Sequence, residues 1–171
     1  TSKIVGNKRE AINLSLDNVK EYLKKWGKDK EVMTFDVSSA TVKEAAEALK
    51  TEEKRIAKSL TFADADGGCI MVVAAGDARI DNKKFKEYFK FKAKMLAPEE
   101  VFTLTGHKIG GVCPFAVNPG VKVYLDESLN RFKTVFPACG TSNSAIELKT
   151  DELYEMSGAI DFIDVTKLPQ E

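Results

Sequence analysis

The order of helical and extended segments predicts an α+β fold. Three observations carry this. Hydrophobic spacing runs helix, strand, helix, several strands, helix, strands, helix, strand, which is not the regular βαβ alternation of a doubly wound sheet. The chain has 171 residues, which corresponds to about one domain. Hydrophobic residues make up 43% and charged residues 30%, enough apolar side chains for an ordinary core.

Residues 15–26 place Leu16, Val19, Leu23 and Trp26 at helical spacing, with Gly27 as the stop. Residues 31–36 alternate as a short strand. Thr41 and Glu44 form a capping box, in which the Thr41 hydroxyl bonds the third helical N–H and Glu44 reaches back. Val42, Ala45, Ala46 and Leu49 make the buried face of that helix. Residues 55–62 alternate as a strand, with Ile56, Lys58, Leu60 and Phe62 on one face and Arg55, Ala57, Ser59 and Thr61 on the other. Cys69–Ala75 reads as a fully buried strand, turned by Gly76 and Asp77. Asp81 caps a helix running to about Lys92, with Phe85, Tyr88 and Phe89 on one face and lysines on another. Pro98 opens a further short helix. Residues 105–120 hold four glycines and two prolines and form a stiff, open loop. A strand follows at 121–125, with Asp126 as a cap. Segments 133–138 and 144–148 read as two strands joined by a hairpin-like turn. Thr150 caps a helix over 151–157, and 159–165 is the last strand.

Composition excludes several function classes. The 26 basic and 26 acidic residues balance, so nucleic acid cannot be held by bulk charge; a polyanion must meet a local patch. The three cysteines, Cys69, Cys113 and Cys139, form neither an even framework nor a C-x-x-C, so no disulfide scaffold or zinc site is expected. Free thiols point to a reducing, cytoplasmic setting. His107 is the single histidine, which removes multi-histidine metal sites and leaves one ring for any triad. The longest apolar run, Cys69–Ala75, is far short of the ~20 residues that span a membrane. No signal peptide is visible at the start, and Thr1 in place of an initiator Met implies processing or trimming.

Five features carry candidate chemistry. Lys58 lies on an apolar strand face, so it either snorkels at a sheet edge or lines a pocket. In a pocket it is a fixed cation for a phosphate, a carboxylate or a developing oxyanion. The segment TGHKIGGVCPF over 105–115 brings Gly110 and Gly111 together, either as a tight turn or as a place where a ligand meets backbone N–H groups. His107 and Cys113, six residues apart, are a possible nucleophilic pair or simply a turn histidine and a half-buried thiol. The six lysines among residues 83–94 are either the solvated face of a helix or a phosphate-contacting patch. Asp126 is a helix cap or an acceptor for a substrate amine or hydroxyl.

Taken in order, TVKEAAEAL, RIAKSL, AAGDARID, TGHKIGGVCPF, VYLDESL and AIEL resemble the YbaK/EbsC family, the domain also inserted in bacterial prolyl-tRNA synthetases as an editing module. The resemblance covers roughly residues 15–165. It implies one editing domain over 1–171, built as a twisted mixed β-sheet, partly barrel-like, surrounded by helices. It implies an aminoacyl-tRNA deacylase that hydrolyses the ester of a small amino acid (Ala, Cys, Ser or Thr) on a tRNA, commonly proline tRNA. Carried over by position, Lys58 matches the catalytic pocket lysine that positions the terminal adenosine phosphate or the substrate. Gly110 and Gly111 match the loop that approaches the aminoacyl-adenosine. Thr105 and Pro114 belong to the same motif, and Asp126 matches the aspartate after the following strand. The implied partners are the 3′ end of an aminoacyl-tRNA and a prolyl-tRNA synthetase; no cofactor, metal or membrane is implied. Members acting on cysteinyl-tRNA often carry Ser and Asp where this chain has Ala138 and Ala145, a departure from a cysteine-specific reading.

This fits the residues. An aminoacyl ester is activated, so positioning and a few oriented donors can suffice without a triad. Pocket size would sort substrates, within the roughly 10–200-fold that a methylene allows. Two other hypotheses compete with the deacylase. One is a non-catalytic module that binds tRNA ends or nucleotides. The other is a thiol ester hydrolase using Cys113 and His107.

Overall fold

The computed structural model describes residues 15–169. Helix α1 covers residues 15–23 of the described chain and ends in a 3-10 turn, Lys24–Trp26. Val19 and Leu23 are fully buried, and Gly27 stops the turn in the left-handed region at φ +66°. Strand β1 (Met33–Thr34) is shorter than the predicted 31–36. Helix α2 (Val42–Leu49) is capped as expected: the Thr41 hydroxyl accepts from the Glu44 N–H at 3.1 Å. The Glu44 carboxylate reaches back to the Thr41 hydroxyl at 3.0 Å.

Strands β2 (Ile56–Ala63) and β3 (Cys69–Ala75) form an antiparallel pair in register from Ala57↔Ala75 to Ala63↔Cys69. Every residue of β3 is buried, because both faces of the sheet are covered. The two-residue period sends Met71, Val73 and Ala75 into one apolar layer, with α1, Phe115 and Leu125. It sends Ile70 and Val72 into a second layer with Phe62 and Phe85. Strand β4 (Arg79–Ile80) leads into helix α3 (Asn82–Phe89), whose second and third N–H groups, on Lys83 and Lys84, bond the Asp81 carboxylate. Helix α4 (Pro98–Thr105) begins at its proline.

Strand β5 (Val121–Asp126) runs parallel to β3, and a 3-10 turn, Glu127–Arg131, follows it. Strands β6 (Thr134–Pro137), β7 (Ser144–Ala145) and β8 (Leu148–Lys149), helix α5 (Thr150–Ser157), and strands β9 (Phe162–Ile163) and β10 (Thr166–Lys167) complete the described chain. The main sheet has six strands in the order β8-β6-β2-β3-β5-β9, mixed in direction and curled into a half-barrel with helices packed around it. The fold is α+β, as the element order predicts. Among the described residues, no helix is long and apolar enough to cross a membrane.

Four local expectations are corrected. Helix α3 stops at Phe89 rather than Lys92, because Lys90 takes a left-handed conformation and Phe91 folds back against Phe85 and Phe89. The predicted hairpin is shared out: β8 pairs with β6, but Ser144 and Ala145 pair with β1. Thr150 lies inside α5, whose cap is Lys149 with the Glu152 carboxylate accepting from its N–H at 3.0 Å. The final strand 159–165 becomes β9, parallel to β5, followed by β10 paired with β4.

Candidate active site

The main sheet has a gap. Strand β6 pairs with β2 only at Ile56 and Ala57. Farther along the same edge, the Thr61 carbonyl accepts from the Leu96 N–H at 3.2 Å, and the Ala63 N–H donates to the Lys94 carbonyl at 2.8 Å. Between these two supports, β2 borders a cavity of about 340 Å³. Its wall comprises β2 residues 56–61, residues 39–42 with Ala45 from the start of α2, and Phe136 and Ala138 at the end of β6. Ser144 and Ala145, Met95, Leu96 and Val101, and Ile109, Gly110 and Val112 of the glycine-rich loop complete it. Among the described residues, Lys58 is the only charged side chain in that wall, which holds no cysteine, histidine or carboxylate.

Lys58 is held rather than snorkelling. Its ammonium donates to the Gly76 carbonyl at 3.2 Å and to the Ala78 carbonyl, both in the turn after β3. An ammonium has three N–H donors, so one remains uncommitted among the described residues. Burial lowers its pKa from the ordinary lysine value; the Asp77 charge opposes this and Arg79 adds to it. Asp77 does not neutralise Lys58, because Arg131 grips both of its oxygens at 2.6 and 3.1 Å.

The two glycines divide. Gly110 lines the cavity at φ +95°, a conformation that L side chains rarely adopt, and a Cβ there would touch the Cβ of Ala40 at 3.4 Å. Gly111 lies outside the wall. A Cβ on it would sit 2.7 Å from the Gly140 carbonyl oxygen, and its N–H closes a turn onto the Lys108 carbonyl at 3.0 Å. Its amide is therefore spent on the loop.

The other expected site residues lie outside the cavity wall. Thr105 is fully buried at the end of α4, where its hydroxyl donates to the Val101 carbonyl at 2.6 Å and accepts from the His107 N–H at 3.0 Å. Pro114 is buried within the loop, away from the wall. Asp126, 1% exposed, accepts from Ser128 N–H at 2.9 Å, Val165 N–H at 3.0 Å and the Thr166 hydroxyl at 2.7 Å. The cap predicted for Asp126 is present, but it also ties the end of β5 to the chain before β10.

His107 and Cys113 do meet, with Sγ 3.6 Å from Nε2, in the interior. The Phe115 carbonyl, 2.7 Å from Nε2, can only accept, which fixes the proton on Nε2; Nδ1 then accepts from the Ser15 hydroxyl at 2.9 Å. Burial lowers the His107 pKa. Burial also pushes the Cys113 thiol up to about 12, the wrong direction for a nucleophile. Cys113 is 0% exposed and outside the cavity wall, so no ester reaches this pair.

The lysine-rich segment divides too. Lys84 binds Asp164 at 3.1 Å and the Thr166 carbonyl at 2.8 Å, while Lys83, Lys86, Lys90, Lys92 and Lys94 are exposed. Phe85 is buried and Tyr88 is exposed. The segment then runs directly into the cavity wall at Met95.

Residues 36–156 match the profile of the aminoacyl-tRNA editing domain family. The chain belongs to this family. The matched span contains every residue of the cavity wall. The editing domain is 53% identical to the uncharacterized protein YwhH of Bacillus subtilis over 154 residues, covering 90% of this chain and 98% of that protein. It is 34% identical over 94 residues to a proline–tRNA ligase of Thermosipho melanesiensis, 54% of this chain but only 16% of the ligase. It also superposes on a crystal structure described as a proposed trans-editing enzyme for prolyl tRNA synthetase, with a TM-score of 0.80, 32% identity, and 90% and 97% of the two chains covered.

Sequence reasoning identified Lys58 and Gly110 as wall residues, and it aligned Ala138 and Ala145 with specificity positions that the structure brings into the same wall. It missed Ser59, Ile109 and the 39–42 segment. Ser59 carried little visible signal, since it shares its strand face with the polar Arg55 and Thr61 as well as with Ala57.

Proposed function

We propose that this editing domain is an aminoacyl-tRNA deacylase. Its substrate is the ester of a small amino acid, Ala, Cys, Ser or Thr, on the 3′ end of tRNA(Pro) or a related tRNA. The observation that carries this reading is the cavity itself: one lysine with an uncommitted N–H in an otherwise uncharged wall that also contains Gly110. Water attacks the ester carbonyl, the acyl–oxygen bond breaks, and the amino acid leaves the tRNA 3′-terminal hydroxyl. Lys58 holds a phosphate or the developing oxyanion. Gly110 lets the substrate approach the backbone closely. Thr105, Gly111, Pro114 and Asp126 support this surface from outside the wall instead of touching substrate.

Kinship with proline–tRNA ligases supports tRNA(Pro) as the carrier, with the domain working in trans beside a prolyl-tRNA synthetase in the cytoplasm. The test is deacylation of Ala-, Cys-, Ser-, Thr- and Pro-charged tRNA by wild type and Lys58→Ala. Loss of one preorganised donor typically costs about 10²–10³-fold, and a loss of that order is expected here. Full activity of Lys58→Ala on every accepted ester would overturn the assignment. A wild type that binds tRNA but leaves the whole panel intact would make the domain a binding module.

A further inference from the structure

Among the described residues, the Ser59 hydroxyl is the only buried side-chain N or O atom without a hydrogen-bond partner. Leaving such a group unpaired is costly, so its presence here asks for a reason. Ser59 lies in the cavity wall, in the middle of the gap at the β2 edge. Of the other wall hydroxyls, those at Ser39, Thr41 and Ser144 are engaged, with the Ser142 carbonyl, Glu44 and Thr141 respectively.

The backbone at Ser59 is open as well. The Thr61 carbonyl faces the outer edge of β2, since it accepts from Leu96. A strand repeats every two residues, so the Ser59 N–H and carbonyl face that edge too. Strand β6 stops pairing at Ala57, and no backbone hydrogen bond crosses the edge at Ser59 among the described residues. Ser59 therefore brings an unpaired carbonyl to the open edge beside the cavity and, on the same residue, an unpaired hydroxyl that is buried as it stands.

Every aminoacyl ester carries an α-ammonium group that needs acceptors, and the wall has no carboxylate. Lys58 would repel an ammonium beside it. Alternation along β2 puts the Lys58 and Ser59 side chains on opposite faces of the strand, separating the two cations. We propose that Ser59 is the α-amine recognition position of the cavity, taking the substrate ammonium through its hydroxyl and its carbonyl. A change of χ1 rotamer turns the hydroxyl toward the ligand without moving the strand. This assignment rests on the deacylase reading for its substrate class and sharpens it: the enzyme selects esters with a free amine.

The probes are the non-hydrolysable amide 3′-alanylamino-3′-deoxyadenosine and its N-acetyl derivative, titrated into wild type and Ser59→Ala, with thermal midpoints measured in parallel. Wild type should bind the free amine more tightly. Ser59→Ala should weaken free-amine binding about 10- to 100-fold, the range for a hydrogen bond to a charged group, and leave the N-acetyl compound unchanged. Its thermal midpoint should hold or rise, because an unpaired hydroxyl has been removed. The Ser59 carbonyl survives in Ser59→Ala, so a reduced preference remains; a free-amine preference undiminished from wild type overturns the proposal. So does a lowered midpoint with both compounds weakened equally, which is the behaviour of a purely structural serine. Hydrolysis of alanyl-tRNA is scored separately: amine preference without hydrolysis would sink the deacylase reading and leave the Ser59 assignment standing.

Discussion

Replacing Asp126 separates a structural carboxylate from a substrate-binding one. Three donors converge on it in the interior: two backbone N–H groups, from Ser128 and Val165, and the Thr166 hydroxyl. Asp126→Ala strands both amides, since neither can leave its backbone position, whereas the hydroxyl can rotate. At about 1–3 kcal/mol for each stranded donor, the two amides together cost roughly 4 kcal/mol. For a chain of this size that lowers the thermal midpoint by about 8–16 °C. Asp126→Asn should fall between wild type and Ala. Its single oxygen can serve either Val165 or the Ser128 and Thr166 pair, and its NH₂ then faces a donor. The assay is urea and thermal unfolding, with deacylation per folded molecule measured well below the midpoint. The folded fraction of both variants should hydrolyse the ester at close to the wild-type rate. An Asp126→Asn variant with an unchanged midpoint and lost deacylation would refute the structural account and return Asp126 to the substrate.

Acid sensitivity should report on His107, the one histidine in the chain. Its folded pKa is depressed below the unfolded value of about 6.5, so its contribution is present above that pH and is lost as pH falls through the folded pKa. Stability should decline as pH falls below about 6.5, with a slope of at most about 1.4 kcal/mol per pH unit, and His107→Gln should flatten the pH dependence of unfolding there. A second expectation concerns the exposed lysines leading to Met95. Replacing Lys83, Lys86 and Lys92 together with Gln should weaken tRNA binding and make log affinity against log salt shallower, by about 0.9 for each lysine that meets a phosphate. An unchanged slope in filter binding would return these residues to the role of a solvated face.

The legibility of this chain follows the range of the interactions involved. Local rules located α2, because Thr41 and Glu44 sit three residues apart, and β3, because seven consecutive apolar or small residues admit few alternatives. They failed where a distant partner decides. Ser144 and Ala145 pair with a β1 strand more than 100 residues away, so no local pattern assigns them. Asp126 showed only its cap to Ser128; Val165 and Thr166, some 40 residues later, turn it into a tie. The glycine pair was recognisable as a close-approach motif, but which glycine faces the cavity depends on Gly140, whose carbonyl leaves no room beside Gly111. Lys58 stood out as a cation on an apolar face, whereas Ser59 passed as a polar residue on the other face. The value of Ser59 depends on β6 leaving the sheet at Ala57, which is a tertiary event.

A neutral chain with one cavity cation also constrains selection. Bulk charge cannot hold the tRNA, so encounter falls to local groups and discrimination falls to the wall. That wall is built from Ala40, Ala45, Ala57, Ala138, Ala145 and Gly110 among larger apolar side chains. Each alanine Cβ sets how far a substrate side chain can extend, and a methylene too many is resisted only modestly. Polarity discriminates differently. With alanine at 138 and 145, those two wall positions offer no acceptor to a substrate hydroxyl or thiol, which would go in unpaired and forfeit its hydrogen bonds to water. Under the deacylase proposal the wall therefore ranks the four small esters. Alanine fits and leaves no polar group behind, cysteine follows with its weak donor, and serine and threonine come last because positions 138 and 145 give their hydroxyls no partner.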